Sequence, residues 1–183
     1  ALADAVDDES IAAIEQLRAL GIEPVIVSGD HQAAVDSVAQ AVGITEVHAA
    51  CSPQEKLELL TQRQAMGRTV AMVGDGVNDA AAMAAATVGV GVHGGAEACL
   101  ATADVFLSKA GLDPLVELTS GARRTMGLVR LGIGASIAYN VVGAALAFTG
   151  VINPLIAAIM MPVSSLTVVL IAWQGRTFSR TAA

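Results

Sequence analysis

The chain has 183 residues, of which 54% are hydrophobic and 15% are charged, and its mean hydropathy is +0.63. Soluble proteins carry about 45–50% apolar and about 25% charged residues, so this composition indicates a chain that lies partly in lipid. A net charge of −7 excludes a protein that binds nucleic acid through a basic surface, and the apolar content excludes a disordered chain.

Charge divides the chain into two parts. All 17 acidic residues lie at or before Glu117 with half of the 10 basic residues, whereas the tail beyond Glu117 holds five arginines and no acid. An acidic first part and an apolar tail predict one modest domain joined to a membrane element. We therefore assign residues 1–117 to the domain, 118–130 to a connecting helix, 131–173 to a membrane hairpin and 174–183 to a tail.

In the first part, short β-branched runs alternate with helical stretches. The predicted strands cover residues 25–30, 47–50, 69–76, 88–92 and 104–108, and the predicted helices cover 8–20, 31–42, 53–66, 78–86 and 96–102. Strands that are apolar throughout and alternate with helices form parallel sheets covered on both faces, so the predicted fold class is α/β. Helix ends are predicted at Gly21, Gly43 and Gly67, and a helix start at Ser52-Pro53.

Two of these strands end in acidic turns, at the sheet edge where parallel sheets bind ligands. One turn is Ser28-Gly29-Asp30, and the other is the hexapeptide GDGVND at 74–79. Asp75 leaves the strand and Asp79 follows four residues later, so the two carboxylates could hold Mg²⁺ beside a phosphate. The alternative is that these residues serve only turn formation and helix capping.

Lys56 is the cation that could meet such a phosphate, because it follows the Ser52-Pro53 helix start one strand before the hexapeptide. A lysine on a helix is otherwise a solvated surface charge, so this assignment depends on its neighbours. The three histidines and two cysteines show no spacing typical of metal ligands, and we interpret them as ordinary structural residues.

The motifs SGD, PQEK and GDGVNDAAAM, in this order, resemble the phosphorylation domain of the P-type ATPases, which are relatives of the haloacid dehalogenases. The resemblance extends over essentially the whole chain. It departs mildly at Ser28, where the family usually has Thr, at Ala81, where Pro is usual, and at Met83, where Leu is usual.

The resemblance implies a role for each motif residue. Ser28 would supply a phosphate-binding hydroxyl, Asp30 would belong with Gly29 to the nucleotide and phosphate loop, and Lys56 would neutralise the phosphoryl group. Asp75 and Asp79 would hold Mg²⁺ in the GDGVND turn, where Asn78 would belong to the cofactor-binding loop.

The family's phosphorylated Asp lies in an Asp-Lys-Thr-Gly-Thr motif, which these 183 residues do not contain. In the family this Asp follows the middle strand of the sheet, so we expect an incomplete sheet with a gap in its core. We also expect the chain to be the carboxyl-terminal part of a longer pump, inactive alone, with ATP bound through the remaining domains.

The tail contains two uncharged stretches, 131–150 and 154–173. Each would form about 30 Å of helix, the thickness of the hydrocarbon core. Arginines precede the first stretch and follow the second, so the positive-inside rule places both ends and the domain in the cytoplasm, with the hairpin tip outside the cell membrane.

Polar residues inside these stretches are candidates for binding a transported ion. They are Tyr139 and Asn140 in the first stretch and Met161, Ser164 and Ser165 in the second, where Pro162 would kink the helix. A thioether beside phenol, amide and hydroxyl groups suits Cu⁺ better than Zn²⁺, which prefers Cys, His or carboxylate. The residues also resemble the signature of the copper-transporting subgroup. Packing between helices is the alternative.

We therefore predict part of a heavy-metal pump, with lipid, the metal ion, the rest of the pump and a metallochaperone as partners. A pump for Zn²⁺ or another divalent metal is one alternative. A membrane-tethered phosphatase of the haloacid dehalogenase type is another; it would need its own nucleophilic Asp upstream of these motifs, and Asp4 is followed by neither a DxD nor an Asp-Lys-Thr motif. A non-catalytic interaction subunit is a third.

Overall fold

The computed structural model describes residues 8–75, 77–95, 101–150 and 153–175, without the side chains at 77, 154–157, 161 and 174. The chain divides after Val116 into two compact units. The predicted helix at 96–102 lies outside the described residues except for its last two positions, which are helical.

The first unit alternates helices and short strands. Its elements are α1 (Asp8–Ala19), β1 (Ile26–Val27), α2 (Gln32–Val42), β2 (Val47–His48), α3 (Pro53–Ala65), β3 (Ala71–Gly74), a 3-10 turn (Val77–Asp79), α4 (Ala80–Ala85), β4 (Val88–Gly91) and β5 (Val105–Phe106). The α/β class with parallel strands is confirmed. The strands are shorter than predicted, because extended residues beyond the paired positions find no neighbouring strand.

The described strands form two separate parallel sheets. In the smaller, β1 pairs with β2. In the larger, β3 pairs with β4 from Ala71 opposite Val88 to Gly74 opposite Gly91, and β4 pairs with β5. Among the described residues no backbone ladder joins β1 to β3, as expected for an incomplete sheet.

Helix ends follow the sequence signals. Gly21, Gly43 and Gly67 all have positive φ, between 69° and 80°, a conformation that costs glycine little and other residues more. α3 begins with Ser52 as its N-cap. The Ser52 hydroxyl accepts from the Glu55 amide, and the Glu55 carboxylate accepts from the Ser52 amide at 2.7 Å, which completes a capping box.

The core of the first unit lies between its helices and sheets. Ile14, Leu17, Val42 and Ile44 form a buried cluster at one end. Met83 of α4 and Val90 of β4 are each 1% exposed at the other. Full burial of side chains this size stabilises the fold by about 1.5–3 kcal/mol each.

The rest of the chain consists of two long helices, α5 (Asp113–Phe148) and α6 (Pro154–Gln174). α5 is one continuous helix over the predicted connecting segment and most of the first span, because no proline interrupts it between Pro114 and its end. Among the described helices, α5 is long and apolar enough to cross a membrane, and the described apolar stretch of α6 runs Ala158–Trp173.

The capping box makes the stability of α3 pH-dependent. Hydrogen bonds from the Ser52 amide and hydroxyl lower the pKa of Glu55 from its ordinary value near 4.5. A lowered folded-state pKa contributes stability above the unfolded-state pKa, which is lost as the pH falls through the folded-state value. We expect Glu55→Gln to reduce hydrogen-exchange protection of the α3 amides at pH 7 and to make no difference below the folded-state pKa.

Glu58→Gln is the matched control for this prediction, because it removes the same charge one turn further on and leaves the cap intact. The experiment compares both variants with the unmodified chain in detergent between pH 3 and 7. Equal loss of protection in the two variants at pH 7 would assign the effect to net charge rather than to the cap.

Candidate functional site

The loop at the end of β1 is a closed turn. The Ser28 hydroxyl donates to Asp30 Oδ2 at 2.9 Å and accepts from the Asp30 amide at 3.2 Å. Gly29 and Asp30 are exposed, and Ser28 is half-buried. The Ser28 hydroxyl and the Asp30 carboxylate therefore bind each other within the turn. Gly29 and Asp30 form its solvent-exposed part.

This β1 turn is held by the loop that leads into α3. The Cys51 amide donates to the Ser28 carbonyl at 2.9 Å, and the Ala50 amide donates to the Asp30 carbonyl at 2.7 Å. Ala50 makes its bond at φ +52°, in the left-handed region that alanine rarely adopts. The next residue but one is Ser52, the cap of α3, so the turn is linked by backbone to the start of that helix.

Helix α3 carries Lys56 one turn beyond the cap, and the structure places this lysine against Asp79. The Lys56 ammonium donates to Asp79 Oδ1 at 2.7 Å, and each side chain is only 11% exposed. Asp79 sits at the start of α4 but makes no side-chain capping hydrogen bond. Capping as the sole role of Asp79 is therefore wrong, because its carboxylate is used in a buried ion pair between two helices.

Gly74 lies directly behind Asp79. A Cβ atom at Gly74 would lie 2.8 Å from the Asp79 Cβ, 3.0 Å from Asp79 Oδ2 and 3.1 Å from the Met83 sulfur. Real Cβ atoms essentially never come as close as 2.8 Å to another side chain, so any residue other than glycine at position 74 would displace Asp79. The end of β3 thus sets the position of Asp79 from one side, and Lys56 sets it from the other.

Asp75 and Asn78 are both exposed at this end of β3. Gly76, between them, lies outside the described residues. The described part of the chain contains no cluster of three or more His, Cys, Asp or Glu side chains that could enclose a metal. Proteins commonly bind Mg²⁺ through one or two carboxylates, with water and phosphate completing its shell, so the binding of Mg²⁺ by Asp75 and Asp79 stays a prediction.

In the second unit, Tyr139 joins the two long helices. Its hydroxyl donates to the Met160 carbonyl at 2.6 Å. A Cβ atom at Gly143, one turn along, would lie 3.2 Å from the Met160 methyl group, so the helices approach closely here. Small residues at such positions let membrane helices pack against each other.

The predicted metal-binding residues do not all lie on this contact face. Tyr139 and Ser164 are half-buried, whereas Asn140 and Ser165 are exposed. The side chain of Met161 lies outside the described residues. The structure therefore brings Tyr139 to α6 through a backbone carbonyl, and it leaves Asn140 and Ser165 on open surfaces of the hairpin.

Two residues of these sites were not predicted from the sequence. Gly74 belongs to the recognised hexapeptide, but its contact with Asp79 depends on the path of the 3-10 turn. Met160 lies beside the predicted Met161, and no sequence signal favours one over the other, because apolar residues surround α6 almost evenly.

Comparison with known proteins supports the motifs. The haloacid dehalogenase-like hydrolase family matches residues 1–87. The Cation-transporting P-type ATPase B of Mycobacterium bovis is 36% identical over 97% of this chain and 24% of its own length. The probable copper-transporting ATPase PacS of Synechococcus elongatus is 37% identical over 88% of this chain and 21% of its own length.

A solved structure of a zinc-transporting PIB-type ATPase in the E2.Pi state is also similar. It matches with a TM-score of 0.87 at 30% identity, over 93% of this chain and 28% of that one. The match includes both the α/β unit and the long helices, since it covers nearly all of the chain. The chain spans about a quarter of the length of these relatives, so it is similar to one part of the heavy-metal P-type ATPases.

Proposed function

We propose that the chain is the part of a metal-pumping P-type ATPase that handles the phosphoryl group and contributes the last two membrane helices. The observation that carries the proposal is the buried ion pair of Lys56 with Asp79 at the end of β3, within motifs that the family uses for phosphoryl transfer. In the complete pump, hydrolysis of ATP through an aspartyl phosphate would drive export of a heavy-metal cation.

The residues at the end of β3 support a Mg²⁺-dependent reaction. Asp75 and Asp79 would hold the ion, which supplies positive charge to the transferring phosphoryl group. Lys56 would add a second positive charge, with the hydroxyl of Ser28 and the backbone of Gly29, Asp30 and Asn78 on the phosphate side. These 183 residues contain no Asp-Lys-Thr-Gly-Thr nucleophile, so the chain alone would not hydrolyse ATP.

Cu⁺ is the transported ion that the membrane residues favour. Residues 118–183 contain no Cys, His, Asp or Glu, the groups that bind Zn²⁺. They do contain a thioether at Met161, three and four positions before the hydroxyls of Ser164 and Ser165 in the sequence, and the Tyr139-Asn140 pair in the preceding uncharged stretch. The similarity of PacS supports this assignment. Zn²⁺ is the second candidate, favoured by the structural similarity to a zinc-transporting ATPase.

The proposal places α5 and α6 in the cell membrane. α5 is long enough to cross it, and large apolar side chains such as Ile133, Ile137, Val141 and Leu166 are each at least 57% exposed in this chain. Lipid and the other helices of the pump would cover them. The arginines that precede the uncharged part of α5 support a cytoplasmic first unit and a hairpin tip outside the cell, by the positive-inside rule. A metallochaperone would deliver the ion.

Our second prediction concerns the ion pair. Removing one partner of a buried pair leaves an uncompensated charge and typically costs about 3–5 kcal/mol. We expect Lys56→Met or Asp79→Asn alone to destabilise the first unit by that order, and the double variant to be destabilised by much less than the sum. Urea unfolding of the chain in detergent measures these free energies. Additive effects would contradict the coupling.

Our third prediction concerns Gly74. Because a Cβ atom there would collide with Asp79, Gly74→Ala should displace the carboxylate while the fold persists. In a full-length pump containing this chain, we expect loss of Mg²⁺-dependent phosphoenzyme formation of at least tenfold. Gly134→Ala is the control, since nothing lies within 4 Å of a Cβ atom at that position. Phosphorylation at the unmodified rate in Gly74→Ala would refute the assignment of Asp79.

Our fourth prediction tests the transported ion. Met161→Leu roughly conserves volume, costs under about 1.5 kcal/mol in packing and deletes the sulfur. In the full-length pump we expect it to lose bound Cu⁺ and Cu⁺-stimulated ATPase activity, and Asn140→Leu and Ser165→Ala to do the same. Met160→Leu is the matched control, because it deletes a thioether one residue away.

Two results would change this assignment. Unchanged Cu⁺ binding in all three variants would make the residues packing groups. Stimulation of the unmodified pump by Zn²⁺ and not by Cu⁺ would favour the second candidate.

A further inference from the structure

Three arginines lie along the first half of the second unit, before α5 becomes uncharged. They are Arg123, Arg124 and Arg130, and all are exposed. Among the described residues none of them has an acidic partner within ion-pair distance, and the sequence contains no acid beyond Glu117 that could supply one. Within the described part of the chain, their charge is therefore not neutralised by an ion pair.

Two of these arginines point away from α6. An α-helix turns about 100° per residue, so Arg123 and Arg130, seven residues apart, lie on one face. The residues of α5 that meet α6 lie on the opposite face, about 140–180° away: Gly132 near Val168, and Tyr139 and Gly143 at Met160. The hairpin contact therefore leaves the arginine face uncovered.

The position of this face along α5 corresponds to the membrane surface. The uncharged part of α5 begins at Leu131, and its 18 residues to Phe148 rise about 27 Å, close to the ~30 Å hydrocarbon core. Arg130 then lies at the boundary of the hydrocarbon. Arg123 lies about 10 Å further out, at the outer side of the headgroup region, since each headgroup region adds about 5–8 Å to the hydrocarbon core. Apolar side chains between them, Met126 and Val129, are 52% and 47% exposed.

We propose that the face of α5 formed by Arg123, Gly127 and Arg130 binds the headgroups of anionic phospholipids. A guanidinium matches a phosphate with two parallel hydrogen bonds and keeps its charge at all relevant pH values. Gly127, between the two arginines, has open space around it, so a headgroup can approach the helix backbone. The inference rests on the proposed membrane placement of α5.

The test uses the complete 183-residue chain in nanodiscs with equal amounts of phosphatidylglycerol and phosphatidylcholine. Native mass spectrometry then gives the ratio of the two lipids retained by the chain. We expect phosphatidylglycerol to be preferred, each of Arg123→Gln and Arg130→Gln to lower the ratio about fivefold, and the double variant to approach no preference. The double Arg→Lys variant should retain most of it, and high salt should reduce it.

Arg68→Gln is the matched control, because it removes one exposed positive charge from the first unit, where Arg68 faces Glu23 at 3.5 Å. An equal loss in this variant would show a general charge effect and overturn the lipid proposal. Equal retention of both lipids by the unmodified chain would overturn it as well, without affecting the proposed function. Failure of the chain to insert into nanodiscs of either lipid alone would overturn the membrane placement and this inference together.

Discussion

The ion pair between Lys56 and Asp79 connects two halves of a domain that share no continuous sheet. Lys56 belongs to the helix that follows the β1–β2 sheet, and Asp79 follows the first strand of the β3–β4–β5 sheet. Both charges lie where water is scarce, so neither is tolerated without the other. The ion pair therefore joins α3, which follows one sheet, to the start of α4, which follows a strand of the other sheet.

The same pair explains why several unremarkable residues are constrained. Gly74 must lack a side chain because Asp79 occupies that space, and α3 must begin at a fixed point because Lys56 lies one turn beyond its cap. The cap is in turn fixed by backbone bonds from Ala50 and Cys51 to the β1 turn. A displacement of the β1 turn would thus move the start of α3, and with it Lys56 and its partner Asp79.

Much of this arrangement could be predicted from residues alone. One helix begins at Ser52, and two helices end at Gly43 and Gly67. These boundaries depend on residues only a few positions apart, so the sequence is enough to predict them. The partner of Lys56 is 23 positions away, and a contact of that kind depends on how α3 lies across α4. The motif suggested that the two residues share a site, but nothing in their spacing indicated that they bind each other directly.

The contacts between the two long helices could not be predicted from the sequence either. Uncharged length predicted the two helices, but their rotation about their own axes decides which residues meet. Tyr139 and Met160 form the contact, while Asn140 and Ser165 face outward, and a difference of one residue along a helix is a rotation of about 100°. Apolar residues surround both helices almost evenly, so no amphipathic pattern marked the contact face.

The division of the strands into two sheets leaves β1 and β3 each paired, among the described residues, on one side only. An unpaired strand edge offers a row of amide and carbonyl groups to any extended peptide, whether that peptide is a native neighbour or a stray chain. During folding, pairing of these edges with a native strand therefore competes with pairing to another molecule. The solubility of the newly made protein depends on whether a native strand reaches these edges before another molecule does.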